Sequence, residues 1–309
     1  VEISAWLNLV EGLVIYFSAV GSSTNDKVKR CVALSTAFGL VPLQAIGCAW
    51  MAQFDYGRVN IDSMVTNVRK TLILAEPGHH SARSRVSLVV AQALHLAARP
   101  DLANSWYRRA HDHAVSEGDD ATTSALMHNM GWLRMMVLRQ IVLSGKKSLA
   151  GGEHALVYAQ STDHLDYLTG DTTWDMLKPI LRAQVLSLQG DHSAALQLYE
   201  EHLEEVESEG TMRLHANLFA DKAWCAAMSG QFGIAKECLN VALDRLELEM
   251  HVDDRAAAYS RLAQVYTLLN DVASEELQRR MANENWSKHE LMQVRIVELF
   301  GAMTDRGEY

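Results

Sequence analysis

The sequence predicts an all-α protein built from repeated pairs of helices, and three observations carry that expectation. Glycines recur at a fixed step of twenty residues: Gly170, Gly190, Gly210 and Gly230. A helix of about 15 residues plus a short turn fills such a step at a rise of roughly 1.5 Å per residue. Two steps make one helix hairpin, so the structural unit is about 40 residues, the mark of a helical solenoid. The chain has only 4 prolines in 309 residues, and each can sit at an element boundary. Strand signals are poor: no Asn-Gly or Asp-Gly turn separates alternating apolar runs.

Taken in order, the chain pairs helices from its start. Residues 4–17 and 27–38 bracket the turn Gly21-Ser22-Ser23-Thr24. Residues 42–54 and 61–75 bracket Asp55-Tyr56-Gly57-Arg58, with Pro42 suited to a first helical turn. Pro77 and Pro100 read as turns between helices. A repeat copy follows in Ala91, Leu94, Ala103, Tyr107 and Ala110, closed by Gly118. Residues 121–143 form a long helix. The connection 144–152 holds Gly145, Gly151, Gly152, Lys146 and Lys147, and is the most irregular of all. Residues 153–160 start the next helix, and Pro179 suits a further first turn. Ala183, Leu186, Gln189-Gly190-Asp191, Ala195 and Tyr199 repeat the pattern. The clearest copy spans 212–248. Its first helix carries Leu218, Phe219, Ala223, Ala226 and Ala227. Its turn is Ser229-Gly230-Gln231-Phe232. Its second helix carries Ala235, Leu239, Ala242 and Leu246, on one stripe. Leu262, Ala263, Tyr266, Asn270-Asp271 and Ala282 recur at a shift of 40, with Glu275 where Ala235 stands. Residues 273–303 make one long helix or two.

These residues resemble the tetratricopeptide repeat. Ala103-Tyr107-Ala110 matches that family's second helix. Gln189-Gly190-Asp191-His192 with Ala195 and Tyr199 matches its turn and the start of its second helix. The usual family period is about 34 residues, so a period near 40 implies longer helices. It is similar to the long-repeat variety found beside output domains in bacterial signalling and transcription regulators. The resemblance implies a right-handed superhelix of about seven antiparallel hairpins in a single domain, 1–309. Residues 1–81 would be degenerate repeats and 82–282 clearer ones. Residues 273–309 would be a capping helix or an exit helix toward an output domain.

In this family first helices line the concave face. Projecting the repeat phase places Arg85, Gln92 and His95 on that face in one repeat. Gln184 follows in a later repeat, then Asn217 and Trp224, then Ser260, Gln264 and Thr267. His128, Trp132 and Arg134 belong to the irregular repeat. Polar side chains beside tryptophans suit a groove for a protein segment, a peptide or a small-molecule ligand. Packing between hairpins is the plainer role for Trp132 and Trp224.

Charge narrows the partners. Residues 1–150 hold 15 Lys+Arg against 11 Asp+Glu, and residues 151–309 hold 13 against 27. The acidic second half argues against direct nucleic-acid contact, which rests on Lys and Arg. It suits a solvated face or basic partners. The apolar stretch 12–20 is too short to span a bilayer, and no secretory leader opens the chain. Cys31, Cys48, Cys225 and Cys238 include no Cys-x-x-Cys pair. Cys225 and Cys238 fall in apolar helices and read as reduced thiols of a cytoplasmic protein. The start at Val1, without Met, suggests a domain excised from a longer protein.

Catalytic patterns are missing from the sequence. No phosphate-cradling Gly-x-x-x-x-Gly-Lys or Gly-x-Gly-x-x-Gly occurs, so no cofactor is expected. His111-Asp112-His113 places its histidines about 200° apart on a helix, a spacing of two where a shared ion prefers four. His79-His80 and Asp163-His164-Leu165-Asp166 are equally weak as metal or catalytic clusters. The acidic run Glu200, Glu201, Glu204, Glu205, Glu207 and Glu209 reads as wet surface rather than a desolvated acid–base pair. The expectation is a non-catalytic binding module without metal. The alternative is an assembly scaffold pairing with a second copy through the C-terminal line Trp286, Leu291, Val294, Val297 and Phe300.

Overall fold

The computed structural model describes residues 1–18, 23–145, 177–208, 212–246 and 251–305. Every regular element among them is an α-helix. In chain order these are α1 (Glu2–Ser18), α2 (Ser23–Ala37), α3 (Val41–Gly57), α4 (Ile61–Leu74), α5 (His80–Leu96), α6 (Pro100–Glu117) and α7 (Asp120–Leu143). Then come α8 (Leu177–Gln189), α9 (His192–Ser208), α10 (Met212–Met228), α11 (Phe232–Asp244), α12 (Val252–Leu268) and α13 (Val272–Asp305). The C-terminal segment is thus a single helix of 34 residues. Pro100, expected in a turn, instead opens α6, where its missing N–H costs no hydrogen bond. Gly170 and Gly210, the irregular connection beyond Gly145, the start of a helix at 153 and the 163–166 cluster lie outside the described residues.

Two compact units divide the chain. The first comprises Val1–Leu126 with Gln293–Tyr309, and the second Met127–Met292. In the first, α1 pairs with α2, α3 with α4 and α5 with α6, while α3 also packs on α2 and α5. Ala5, Leu9, Val28, Cys31, Leu43, Trp50, Met51 and Phe54 form one core cluster there. In the second, α8 pairs with α9 and α10 with α11, and α10 packs on α9 and α12. Its main core runs through Ala183, Leu196, Tyr199, Leu218, Ala223, Ala226, Ala235, Leu239 and Leu262. Small residues at 183, 223 and 226 let the helices approach closely, and larger ones fill the space between.

One turn recurs through both units. The chain leaves α8, α10 and α12 through a left-handed residue, Gly190 (φ 91°), Gly230 (φ 75°) and Asn270 (φ 57°). Beyond each, an N–H reaches back five residues: Asp191 to Leu186, Gln231 to Ala226 and Asp271 to Tyr266, at 3.0, 2.8 and 3.1 Å. This is the Schellman closure, which satisfies a carbonyl the helix end leaves open. Its three copies stand 40 residues apart. The same closure ends α3 and α5 (Asn60 to Asp55 and Arg99 to Leu94, both 2.9 Å). There the left-handed residue is Val59 (φ 58°) or Ala98 (φ 55°). These side chains tolerate that conformation poorly, so the turn is imposed by the packed hairpin rather than by local preference.

Candidate functional site: a buried charged cluster in the second unit

The repeat phase puts Asp221 on α10 and Arg261 on α12 at the same position of successive copies, 40 residues apart. They face each other, with Arg261 Nε donating to Asp221 Oδ1 at 3.0 Å. Arg139, from α7, places a guanidinium nitrogen 2.7 Å from the other carboxylate oxygen. All three side chains are at least 96% buried. One turn before Asp221, Asn217 accepts from Arg139 (2.8 Å) and donates to Asp254 Oδ1 (3.2 Å). Arg261 also donates to Gln264 Oε1 at 2.9 Å and lies 5.3 Å from the Trp224 ring centre. The opposite edge of this group is formed by His192, edge-on to Trp224 at 5.9 Å.

Two arginines against two aspartates leave the cluster balanced, which is the condition under which buried charge is tolerated. Burial disfavours the Arg139 cation, but Asp221, Tyr199 and Asp254 outweigh it and hold its pKa above the ordinary arginine value. Burial, helped by Asp221 and Cys225, lifts the Tyr199 phenol well above its usual range. Burial likewise pushes the Cys225 thiol up to about 11, so it stays protonated at neutral pH. A thiol with so little thiolate is a poor nucleophile. The chemistry of the cluster is therefore the binding together of α7, α10 and α12.

Several residues assigned to the inner face from the repeat phase belong to this cluster or its surroundings. Asn217 and Gln264 bond directly to the arginines, and Trp224 stacks near one of them. Ser260 is buried, donates to the Ala256 carbonyl and accepts from Trp286 Nε1 at 3.0 Å. Gln184 is buried on α8 with its amide oxygen unbonded. Thr267 is exposed and donates back to Ala263. In the first unit, Gln92 and His95 are buried on α5, with His95 Nδ1 3.4 Å from the Tyr107 hydroxyl. Half-buried Arg85 lies flat over Trp50, 4.1 Å from the ring centre. The side chains of His128, Trp132 and Arg134 on α7 lie outside the described residues. Accessible polar surface within the described set therefore comes from Arg85, Gln264, Thr267 and the edge of Trp224.

Sequence reasoning missed Arg139, Asp221, Asp254, Arg261 and Trp50. For two of them a signal existed: opposite charges at an offset equal to the repeat length face each other when copies stack. His251, Asp253 and Asp254 also bring ligand atoms within 4.8 Å of one another. They occupy the cap and first turn of α12, where the positive helix end favours carboxylates. All four cysteines are free and buried. No described helix is long and apolar enough to cross a membrane.

No protein-family model matches the chain, and none of the curated proteins matches it.

Proposed function

We propose that this chain is a tetratricopeptide-like helical-repeat module that binds rather than converts its partner. Its hairpins would stack into a right-handed superhelix whose concave face holds a protein segment or small ligand. It would serve as the sensory or regulatory part of a larger bacterial signalling or transcription regulator in the cytoplasm, without direct contact to nucleic acid or membrane. The observation that carries this reading is the recurrence of one turn at Gly190, Gly230 and Asn270, together with the Asp221–Arg261 pair at the same 40-residue offset. Such recurrence is what stacked copies of one supersecondary unit produce. The acidic second half favours basic partners. Fluorescence anisotropy with labelled basic and neutral peptides, and calorimetry with candidate metabolites, test this directly. A saturable one-to-one isotherm is expected, weakened about tenfold when exposed Thr267 is replaced by Trp to block the face. Absence of saturation by any ligand, or a Thr267→Trp variant that binds equally well, removes this reading of the concave face.

A second reading, self-association, is favoured by α1 rather than by the C-terminal helix. Ile3, Leu7, Val10, Val14 and Phe17 are 77, 54, 51, 60 and 66% exposed. Their spacing of four and three is the seam of a coiled coil. With Trp6 they present on the order of 600 Å² of apolar surface, above what a monomer usually leaves open. Two copies would bury roughly 1,200 Å², the lower end of stable interfaces. On α13, by contrast, Leu291 and Val294 are exposed but Phe300 is buried, which divides the expected line. Light scattering should give a dimer that Leu7→Glu with Val14→Glu returns to monomer at unchanged helix content. A wild-type monomer at tens of micromolar rules this reading out.

A further inference from the structure

Histidines that the sequence keeps apart meet in the first unit. His80 opens α5, and His113 lies one turn before the end of α6. The hairpin brings their Nδ1 atoms to 3.0 Å, with ring centres 5.3 Å apart and planes tilted by 46°. Both rings are half-buried. Glu117 follows His113 by four residues, so it shares the same face of α6 one turn on. Its carboxylate accepts from Ser81 Oγ at 2.9 Å, beside His80. Two side chains of metal-ligating type therefore meet across the α5–α6 hairpin, with the Glu117 carboxylate beside them on Ser81 rather than within 4.8 Å of both rings.

We propose that His80 and His113, completed by Glu117 and water, form a binding site for a divalent transition-metal ion such as Ni²⁺ or Zn²⁺. In the ion-free protein one imidazole donates its Nδ1–H to the other, so the two rings hold different tautomers. An ion takes that proton's place: the proton moves through solvent from Nδ1 to Nε2 of the same ring, so both Nδ1 lone pairs turn to the ion and both Nε2 atoms are protonated. Metal–nitrogen bonds are about 2.0–2.1 Å. Two nitrogens 3.0 Å apart subtend about 95° at such an ion. That is the angle of adjacent ligands in octahedral or square-planar geometry. A tetrahedral ion needs a separation of about 3.3 Å, a shift of a few tenths of an ångström between two side chains. Glu117 reaches the ion by releasing Ser81. Two imidazoles and one carboxylate suit Ni²⁺, Cu²⁺ or Zn²⁺ rather than Mg²⁺ or Ca²⁺.

The surroundings set the strength of the site. Arg83 and Arg109 face His113 and oppose a cation, while Asp112 favours it. Arg83 is already committed, donating to the carbonyls of Glu76 (2.8 Å) and Ala75 (2.7 Å). Arg109 has its guanidinium 4.8 Å from the centre of the Trp106 ring. Bound metal would tie the start of α5 to the end of α6 and stabilise the folded state by mass action.

Titration of the chain with Ni²⁺, Zn²⁺ and Co²⁺ by calorimetry tests the site, with the melting temperature as a second readout. One ion per chain is expected, with a rise in melting temperature. Affinity should fall at least about tenfold in His80→Ala and in His113→Ala, and by about tenfold in Glu117→Gln. Exposed His111, two residues from His113, serves as the control, and His111→Ala should bind as the wild type does. Substoichiometric Co²⁺ should broaden the ring resonances of His80 and His113 first in the unmodified protein, which needs no variant to fold. Equal losses in the His111 variant, or binding retained in both His80→Ala and His113→Ala, overturn the proposal. So does the absence of binding to the wild type, which would leave the pair as a hydrogen bond alone.

Discussion

Replacing Asp221 by asparagine should cost about 3–5 kcal/mol of folding stability, the loss expected when one partner of a buried ion pair is removed. The side chain is isosteric, so no cavity forms and the effect is electrostatic. Arg139 and Arg261 would be left buried with their shared counter-charge gone. Asp254, reached by Arg139 through Asn217, would remain nearby. Urea denaturation should show a lower midpoint at an unchanged slope, which marks a change in stability rather than in the surface exposed on unfolding. The triple replacement Arg139→Met, Asp221→Leu and Arg261→Met should recover most of the loss, because an apolar trio needs no compensation. A loss under about 1 kcal/mol in Asp221→Asn would mean that the two guanidinium groups reach water, as exposed pairs do. The recovery in the triple variant separates the cost of unpaired charge from the value of the pair itself.

Trp50→Ala should be comparably damaging in the first unit, at about 3–5 kcal/mol. Trp50 is buried on α3 and meets Tyr16, Phe17 and Phe54 with ring centres 6.0–6.1 Å away. It also floors the Arg85 guanidinium at 4.1 Å. Burial lowers the Arg85 pKa, and Tyr16 and Asp119 partly offset that. The aromatic face supplies further compensation. Arg85→Met keeps the stem packed and removes only the cation over the ring, so it should change stability by about 1–2 kcal/mol at most. Guanidinium denaturation of the two variants separates packing from the cation–ring contact. Equal losses in both would mean that Arg85, not the core position of Trp50, dominates the site.

Legibility differed along the chain for a physical reason. In the second unit the turn residue is Gly190, Gly230 or Asn270, residue types at ease in the left-handed region, so the conformational demand of the turn is written in the residue type. In the first unit Gly39 and Gly118 mark two such turns in the same way, but beyond α3 and α5 the left-handed residue is Val59 or Ala98, neither of which suits that conformation. The hairpin geometry is the same, but its sequence mark is gone. Pro100 was misplaced because a proline marks a boundary without saying on which side of it the helix begins.

The inner-face residues divide along a similar line. Helical phase identified Asn217, Ser260 and Gln264 as sharing a region, and each is found in or beside the buried network of α10 and α12. Phase alone says which way a side chain leaves its own helix. It does not say how deeply a neighbouring helix covers it, and so Gln92, His95 and Gln184 being buried was not legible. His113 is the same case. Its spacing from His111 forbids a shared ion along one helix, but its partner stands 33 residues away on another.

From the amino-acid order alone came the all-helical class and the forty-residue period. Both follow from local rules, in which apolar spacing selects the helix and a left-handed turn selects glycine. Tertiary structure alone decided which polar groups meet: Arg139 with Asn217, 78 positions on, and His80 with His113. Such pairings depend on how helices distant in the chain are laid side by side. That arrangement is set by the packing of whole faces rather than by the residues that end up in contact.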